Sequence, residues 1–285
     1  MKNIFTIDTE DWYHANYEDK LFQNGKEIVS TVEKNVDCYL ELFDKYDVKA
    51  TFFILGYVAE KHPAMVKKIA KLGHEIASHG YAHQLVYKQT PEEFREDVRK
   101  SKMLLEDLLG NKVLGYRAPS WSITEASLWA IDILEEEGFE YSSSIFPTHN
   151  FLYGIPYAPR FMHDSEIYGK RNLKILHIPP TTIKLGGGQG IPFSGGAYFR
   201  MIPGGFIHRW LKKVNCEEKK PVVFYLHPRE IDINQPRMKL KWRDYMIHYY
   251  GIRHCKDKLE MVLKSSQFQT IKEMIEDAKK EEEWK

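Results

Sequence analysis

Apolar positions in this chain fall into two alternating rhythms, short continuous runs and stripes at helical spacing. Ile4 to Ile7 is the first short run, and it stops at the acidic cluster Asp8-Thr9-Glu10-Asp11. Val32, Val36, Leu40 and Phe43 then recur every three or four residues, which predicts a helix. Ala50 to Leu55 reads as a buried strand closed by Gly56. Met65, Val66, Ile69 and Leu72 form the next helical stripe. Ile76-Ala77 is a short strand leading into Ser78-His79-Gly80-Tyr81-Ala82-His83. Thr90-Pro91-Glu92-Glu93 predicts a helix start, with Thr90 as N-cap, Pro91 at the first helical position and Glu93 as the capping-box acid. That helix runs to about Gly110.

Val113 to Tyr116 predicts another strand, ended by Arg117-Ala118-Pro119-Ser120-Trp121. A helix from Thr124 through Leu128, Ile131 and Leu134 stops near Gly138, and a strand fits Phe139 to Ile145. Strand and helix therefore alternate, the order of βαβ units in a parallel sheet or barrel. Pro147 to Arg171 breaks the rhythm as a long loop, of the kind that often forms a lid or rim. Leu173 to Ile178 returns as a strand. Gly186 to Gly190 lacks the GK[ST] ending of a phosphate loop and reads as a site wall. A helix from about Tyr198 to Lys213 follows, then the clear strand Val222 to Leu226, ended by His227-Pro228. Asp232 to His254 reads as irregular, Lys256 to Leu263 as helix, and Lys279 to Lys285 as a solvated tail.

Composition narrows the picture modestly. The 285 residues carry a formal net charge of +1, which gives no electrostatic reason to expect nucleic acid or a membrane as main partner. Cys38, Cys216 and Cys255 have no metal-site spacing and read as free thiols of a reducing compartment. No apolar run approaches the roughly 20 residues of a membrane span. With no basic-then-apolar leader before Ile4, the expectation is a cytoplasmic protein. Neither a repeat nor a linker divides the chain, so residues 1–285 are expected to form one domain.

Four strand-like runs end in polar groups: Asp8 and Glu10, His79 and His83, Arg117, and His227. In a parallel α/β barrel such ends converge on one face. Like charges gathered at a strand end favour a cation, and Asp8 and Glu10 share a side if the strand alternation persists. Two imidazoles four apart lie on one face of a helical turn and could share a metal ion, although with 12 histidines the spacing alone is a weak signal.

These residues resemble the polysaccharide deacetylases of carbohydrate esterase family 4, the NodB-homology proteins. Thr6 to Asp11 looks like a variant of that family's first motif, and His79-Gly80-Tyr81-Ala82-His83 is similar to its H-[S/T]-x-x-H metal motif. Arg117-Ala118-Pro119 matches R-x-P, and Tyr225-Leu226-His227 is similar to the late L-x-H motif. Leu226-His227-Pro228 with Glu230, and Phe193 to Gly196, further resemble an exopolysaccharide-locus subfamily with a C-terminal extension. Residues 146–220 and 228–255 would then be its specific loops and extension.

The resemblance implies a distorted (β/α) barrel of about seven parallel strands. It also implies a Zn²⁺ ion, or another divalent metal such as Co²⁺ or Ni²⁺, held by His79, His83 and one carboxylate. Because the family's Asp-Asp pair is Asp8-Thr9 here, that carboxylate is Glu10 or Asp11. Asp8, oriented by Arg117, would be the base and His227 the acid in removing acetyl from an N-acetylated sugar or glycan precursor. The family's acid that tunes the histidine falls on Ser142, which leaves Glu230 or Asp232 as replacements. Trp121, Tyr198 and Arg200 are candidate substrate contacts. Two other readings remain: hydrolysis of a small cyclic amide or ureide on the same fold, and a non-catalytic sugar-binding relative.

Overall fold

A computed structural model describes residues 1–14, 29–150, 153–186 and 188–281. Its strands are β1 (Lys2–Thr9), β2 (Thr51–Ile54), β3 (Glu75–Ser78), β4 (Gly115–Tyr116), β5 (Tyr141–Ser142), β6 (Leu176–His177), β7 (Thr182–Ile183), β8 (Ile191–Pro192), β9 (Val223–Leu226) and β10 (Gln267–Gln269). Seven of them run parallel in the order β9-β1-β2-β3-β4-β5-β6, a curled half-barrel. β10 adds to the lower part of β1, where Lys2 to Ile4 face Gln267 to Gln269. β6 and β9 do not pair; Thr181 spans part of that gap with hydrogen bonds to Val223. The hairpin β7-β8 is a separate antiparallel pair.

Strand alternation sorts side chains into two cores. Phe5, Ile7, Phe52, Ile54, Phe224 and Leu226 belong to the core shared with the helices. Ile4, Phe53, Ala77, Tyr141, Leu176 and Val223 fill the inside of the curled sheet. Thr6 and Asp8 continue the inward series of Ile4, so β1 carries an apolar floor below and a carboxylate at its upper end.

The helices are α1 (Val32–Lys45), α2 (Gly56–Lys61), α3 (Pro63–Lys71), α4 (Pro91–Leu109), α5 (Ala130–Glu136), α6 (Gly196–Met201), α7 (Gly204–Lys212), α8 (Trp242–Tyr249), α9 (Cys255–Ser265) and α10 (Ile271–Glu281). Val32, Val36, Leu40 and Phe43 are all buried on α1. α4 opens on the Thr90/Glu93 capping box with Pro91 in its first turn and closes at Gly110 with φ +67°. The single helix expected from Tyr198 to Lys213 is two, because Pro203 separates α6 from α7 and cannot continue a helical ladder. The segment expected to be irregular contains α8, and the helix expected from Thr124 is reduced to a short 3₁₀ turn, Glu125–Ser127, before α5. Cys38, Cys216 and Cys255 are free. No described helix is long and apolar enough to cross a membrane.

Two histidines outside the site are built into this framework as neutral groups. His74 Nδ1 accepts from the Ala50 N–H at 3.2 Å, and its ring packs on Phe43 and Phe52. Burial depresses its pKa to about 4, and that of His177 to about 3. Each therefore binds fewer protons folded than unfolded between its native pKa and the unperturbed 6.5, so stability falls as pH drops below about 6.5. His74→Gln keeps an acceptor for Ala50 but cannot be protonated. Urea unfolding from pH 7 to pH 4 should show a slope shallower by up to about 1.4 kcal/mol per pH unit than the wild type; an unchanged slope would contradict a neutral, buried His74.

Candidate functional site

The upper ends of β1, β3, β4 and β9 deliver Asp8, Glu10, His79, Arg117 and His227 to one place, with His83 four residues beyond His79. This is the face on which parallel barrels carry their chemistry.

Glu10, His79 and His83 are buried and offer donor atoms within 4.8 Å of one another. Glu10 Oε2 lies 2.7 Å from His83 Nε2 and 4.0 Å from His79 Nε2. His79 Nδ1 lies 2.8 Å from the Arg117 carbonyl oxygen, so it donates there and leaves Nε2 with a lone pair toward Glu10. The two histidines do not share the helical turn expected of them. They flank an irregular loop in which Gly80 has φ +76° and His83 φ +56°. A Cβ on Gly80 would stand 2.8 Å from Asp97 Oδ2, which is why glycine holds this position. Asp97, from α4, accepts the Tyr81 and Ala82 N–H groups at 2.7 and 3.1 Å and fixes the loop. Sequence reasoning missed Asp97, since nothing in the α4 pattern marks that carboxylate as facing the loop.

Asp11 points elsewhere. Its carboxylate accepts from Trp12 N, Thr31 N and the Ser30 hydroxyl, and so joins the chain on both sides of residues 15–28. Between the two acids left open by the sequence, geometry brings Glu10 to the histidines. Burial would raise the Glu10 pKa, but His83 and His227 beside it outweigh that and hold the group well below the usual carboxylate range. Burial lowers the His79 pKa to about 4, so the imidazole is a neutral donor at physiological pH. A carboxylate and two imidazoles converging in a buried cluster fit a divalent transition metal such as zinc.

Arg117 is fully buried. Its Nη1 donates to Asp8 Oδ1 at 2.5 Å and Thr6 Oγ1 at 2.8 Å, its Nη2 to Ser143 Oγ at 2.8 Å, and its Nε to the Ser143 carbonyl at 3.2 Å. The guanidinium lies between the rings of Phe53 and Trp121, at 4.0 and 4.6 Å. Trp121, expected as a substrate contact, is 5% exposed and spent on this stack and on Phe146 and Tyr225.

His227 Nε2 lies 3.9 Å from Asp8 Oδ2 and 3.8 Å from Glu10 Oε1, while Nδ1 lies 3.3 Å from Glu230 Oε2. Burial would lower its pKa, but Glu10 and Glu230 outweigh that and raise it. Ser142 is buried and donates to Ser144. Arg200, also expected as a substrate contact, is buried and bonded to Glu230 and to two backbone carbonyls, with no face left for a sugar. Tyr198 is half-buried, within reach of Asn150 at 3.4 Å.

Residues 21–141 match the family model described as polysaccharide deacetylase. A peptidoglycan deacetylase of Helicobacter pylori is 33% identical over 118 residues, 41% of this chain and 39% of that protein. A peptidoglycan-N-acetylglucosamine deacetylase of Bacillus cereus is 39% identical over 94 residues, 33% of this chain and 34% of that protein. The comparisons support the polysaccharide deacetylase family. The matches span little more than a third of those two relatives. Residues 143–276 match a second model, described only as a domain of unknown function, DUF3473. Among solved structures, a probable polysaccharide deacetylase of Pseudomonas aeruginosa PAO1 superposes with TM-score 0.61 at 16% identity, over 99% of this chain and 92% of that one. The Puue allantoinase superposes with TM-score 0.59 at 15% identity, over 96% and 89%. At such identities both show the fold alone. The DUF3473 match includes β6, β9 and β10, so the curled sheet is common to both matched segments.

Metal binding should separate the acids. With Zn²⁺ at about 100 times its Kd, thermal unfolding should report about 2.7 kcal/mol of added stability in the wild type. His79→Ala, His83→Ala and Glu10→Ala should lose most of that increment. Asp11→Ala should keep it while starting from a less stable fold. Zinc stabilisation that survives in Glu10→Ala and vanishes in Asp11→Ala would reverse the assignment.

Proposed function

We propose that this chain is a metal-dependent N-deacetylase of N-acetylated sugars in a polysaccharide or its precursor. The observation that carries the reading is that Asp8 Oδ2 and His227 Nε2, 3.9 Å apart, sit beside the Glu10/His79/His83 cluster. A base and an acid thus flank one reacting bond. Glu10, His79 and His83 would hold the divalent ion, zinc being the first choice for a His₂-carboxylate set and cobalt or nickel the alternatives. The chemistry such an ion supplies when bound is polarisation of the acyl oxygen and acidification of water.

The remaining roles fall to the protein. Arg117 occupies Asp8 Oδ1, which leaves Oδ2 on the side of His227. Asp8 takes a proton from water as its oxygen adds to the acetyl carbon. His227 gives its Nε2 proton to the sugar nitrogen as the C–N bond breaks. Acetate and a free amino sugar leave, and proton exchange with solvent restores both groups.

The sequence relatives named as deacetylases favour this reading over ureide hydrolysis, since the allantoinase likeness extends to fold only. The resemblance of Leu226-His227-Pro228, Glu230 and Phe193 to Gly196 to an exopolysaccharide-locus subfamily makes an exopolysaccharide our choice among glycans.

Acetate release from N-acetylglucosamine oligomers by the zinc-loaded protein is the direct test. Asp8→Asn should keep the metal and lose at least about 100-fold in kcat. Hydrolysis of allantoin with no acetate from any N-acetylated sugar would transfer the chain to the ureide reading.

A further inference from the structure

Glu230 and Arg200 form an ion pair in which both side chains are at most 1% exposed. A pair so deeply buried must recover a large desolvation cost, which demands complete hydrogen bonding. The surroundings give each guanidinium nitrogen and each carboxylate oxygen a partner. Arg200 Nε donates to Glu230 Oε1 at 2.8 Å, Nη2 to the Ile247 carbonyl at 2.5 Å and Nη1 to the Tyr250 carbonyl. Glu230 Oε2 accepts from the His227 backbone N–H at 3.1 Å and lies 3.3 Å from His227 Nδ1. The Arg200 backbone is clamped as well: Lys258 Nζ donates to its carbonyl at 2.6 Å, and a Cβ on Gly251, at φ +76°, would stand 2.5 Å from that oxygen. The turn after β9 and the end of α8 close around the guanidinium, while α9 holds the Arg200 backbone carbonyl.

That investment faces the imidazole of His227. The position where the family resemblance expects an orienting carboxylate is Ser142, whose hydroxyl donates to Ser144. We infer that Glu230 and Arg200 are positioning residues for His227: Glu230 takes the Nδ1 hydrogen and turns Nε2 toward the reacting bond, and Arg200 holds Glu230 in place. An ionised carboxylate only accepts, so Nδ1 must donate and the Nε2 edge is left to face Asp8 and Glu10. Burial penalises the Glu230 charge, but Arg200, His227 and Arg229 together outweigh it and keep the carboxylate ionised. His227, Glu230, Arg200, Ile247 and Tyr250 all lie in residues 143–276, the segment that matches the family model of unknown function. Its task here is to build and aim the acid half of the site.

The kinetic part of this inference rests on the deacetylase reading, so the test has one arm that does not. ¹⁵N-imidazole NMR of the zinc-loaded protein, assigned with His227→Gln, should show a hydrogen-bonded Nδ1 proton that disappears in Glu230→Gln. In kinetics, Glu230→Gln should lower kcat on N-acetylglucosamine oligomers about 100-fold with KM changed by less than about threefold. The loss on 4-nitrophenyl acetate should be smaller by at least about tenfold, because a phenolate departs without a proton. Arg200→Lys, which keeps the charge but not the fork, should fall between wild type and Glu230→Gln on the amide. If a single substitution prevents folding, the double variant Arg200→Met with Glu230→Gln leaves no unpaired buried charge and gives the same comparison. An unchanged Nδ1 signal, or equal losses on amide and ester, would overturn the inference. A wild type that releases no acetate would defeat the deacetylase reading instead and leave the NMR result to decide this one.

Discussion

The site depends on burying one guanidinium. Arg117 has no exposed surface, and its charge is tolerable only because Asp8, Thr6 and both polar groups of Ser143 meet it while two aromatic faces cover it. Truncating one member of such a pair leaves the other charged and unpaired, at a cost of several kcal/mol. The same residue also receives His79 Nδ1 on its backbone carbonyl. One side chain and one carbonyl of Arg117 therefore orient both the proposed base and a proposed metal ligand. This couples the charged layer to β1, β3, β4 and the turn after β5, so the geometry of the site is a property of the sheet.

Strand-end chemistry was the most legible feature of the sequence. Short apolar runs that stop at Asp8, Arg117 and His227 gave both the parallel sheet and the face on which polar groups collect, because hydrophobic period and strand termination are local signals. Alternation along β1 also favoured Glu10 beside Asp8, although the chain turns at that point, with the Glu10 N–H bonded to the Asp8 carbonyl. The His79/His83 pair was noticed through a helical spacing that the fold does not use. Its loop depends on positive φ at Gly80 and His83 and on Asp97, a long-range contact that local spacing does not encode.

What stayed hidden depends on tertiary contact. Arg200 reads from the sequence as a candidate substrate contact, because nothing in Tyr198-Phe199-Arg200 tells that α6 packs against the turn after β9. The sequence leaves Glu230 and Asp232 open as partners of His227, and it is the turn after β9 that brings Glu230 to the imidazole. α8 escaped because Trp242 and Tyr245 face outward, 80% and 40% exposed, which inverts the usual cue of an apolar buried stripe. The two matched segments, each covering less than half of the chain, meet in one continuous sheet. Asp8 and Glu10 precede both matches and His227 falls in the second, so the charged layer draws on all three parts.

The most direct measurement of this account is an anomalous-scattering map, collected at the zinc edge from crystals of the protein grown with zinc. The account predicts a single strong peak bonded to Glu10, His79 Nε2 and His83 Nε2, with Asp8 still paired to Arg117. A peak bonded to Asp11, or a zinc-saturated crystal with no peak at these three residues, would contradict it.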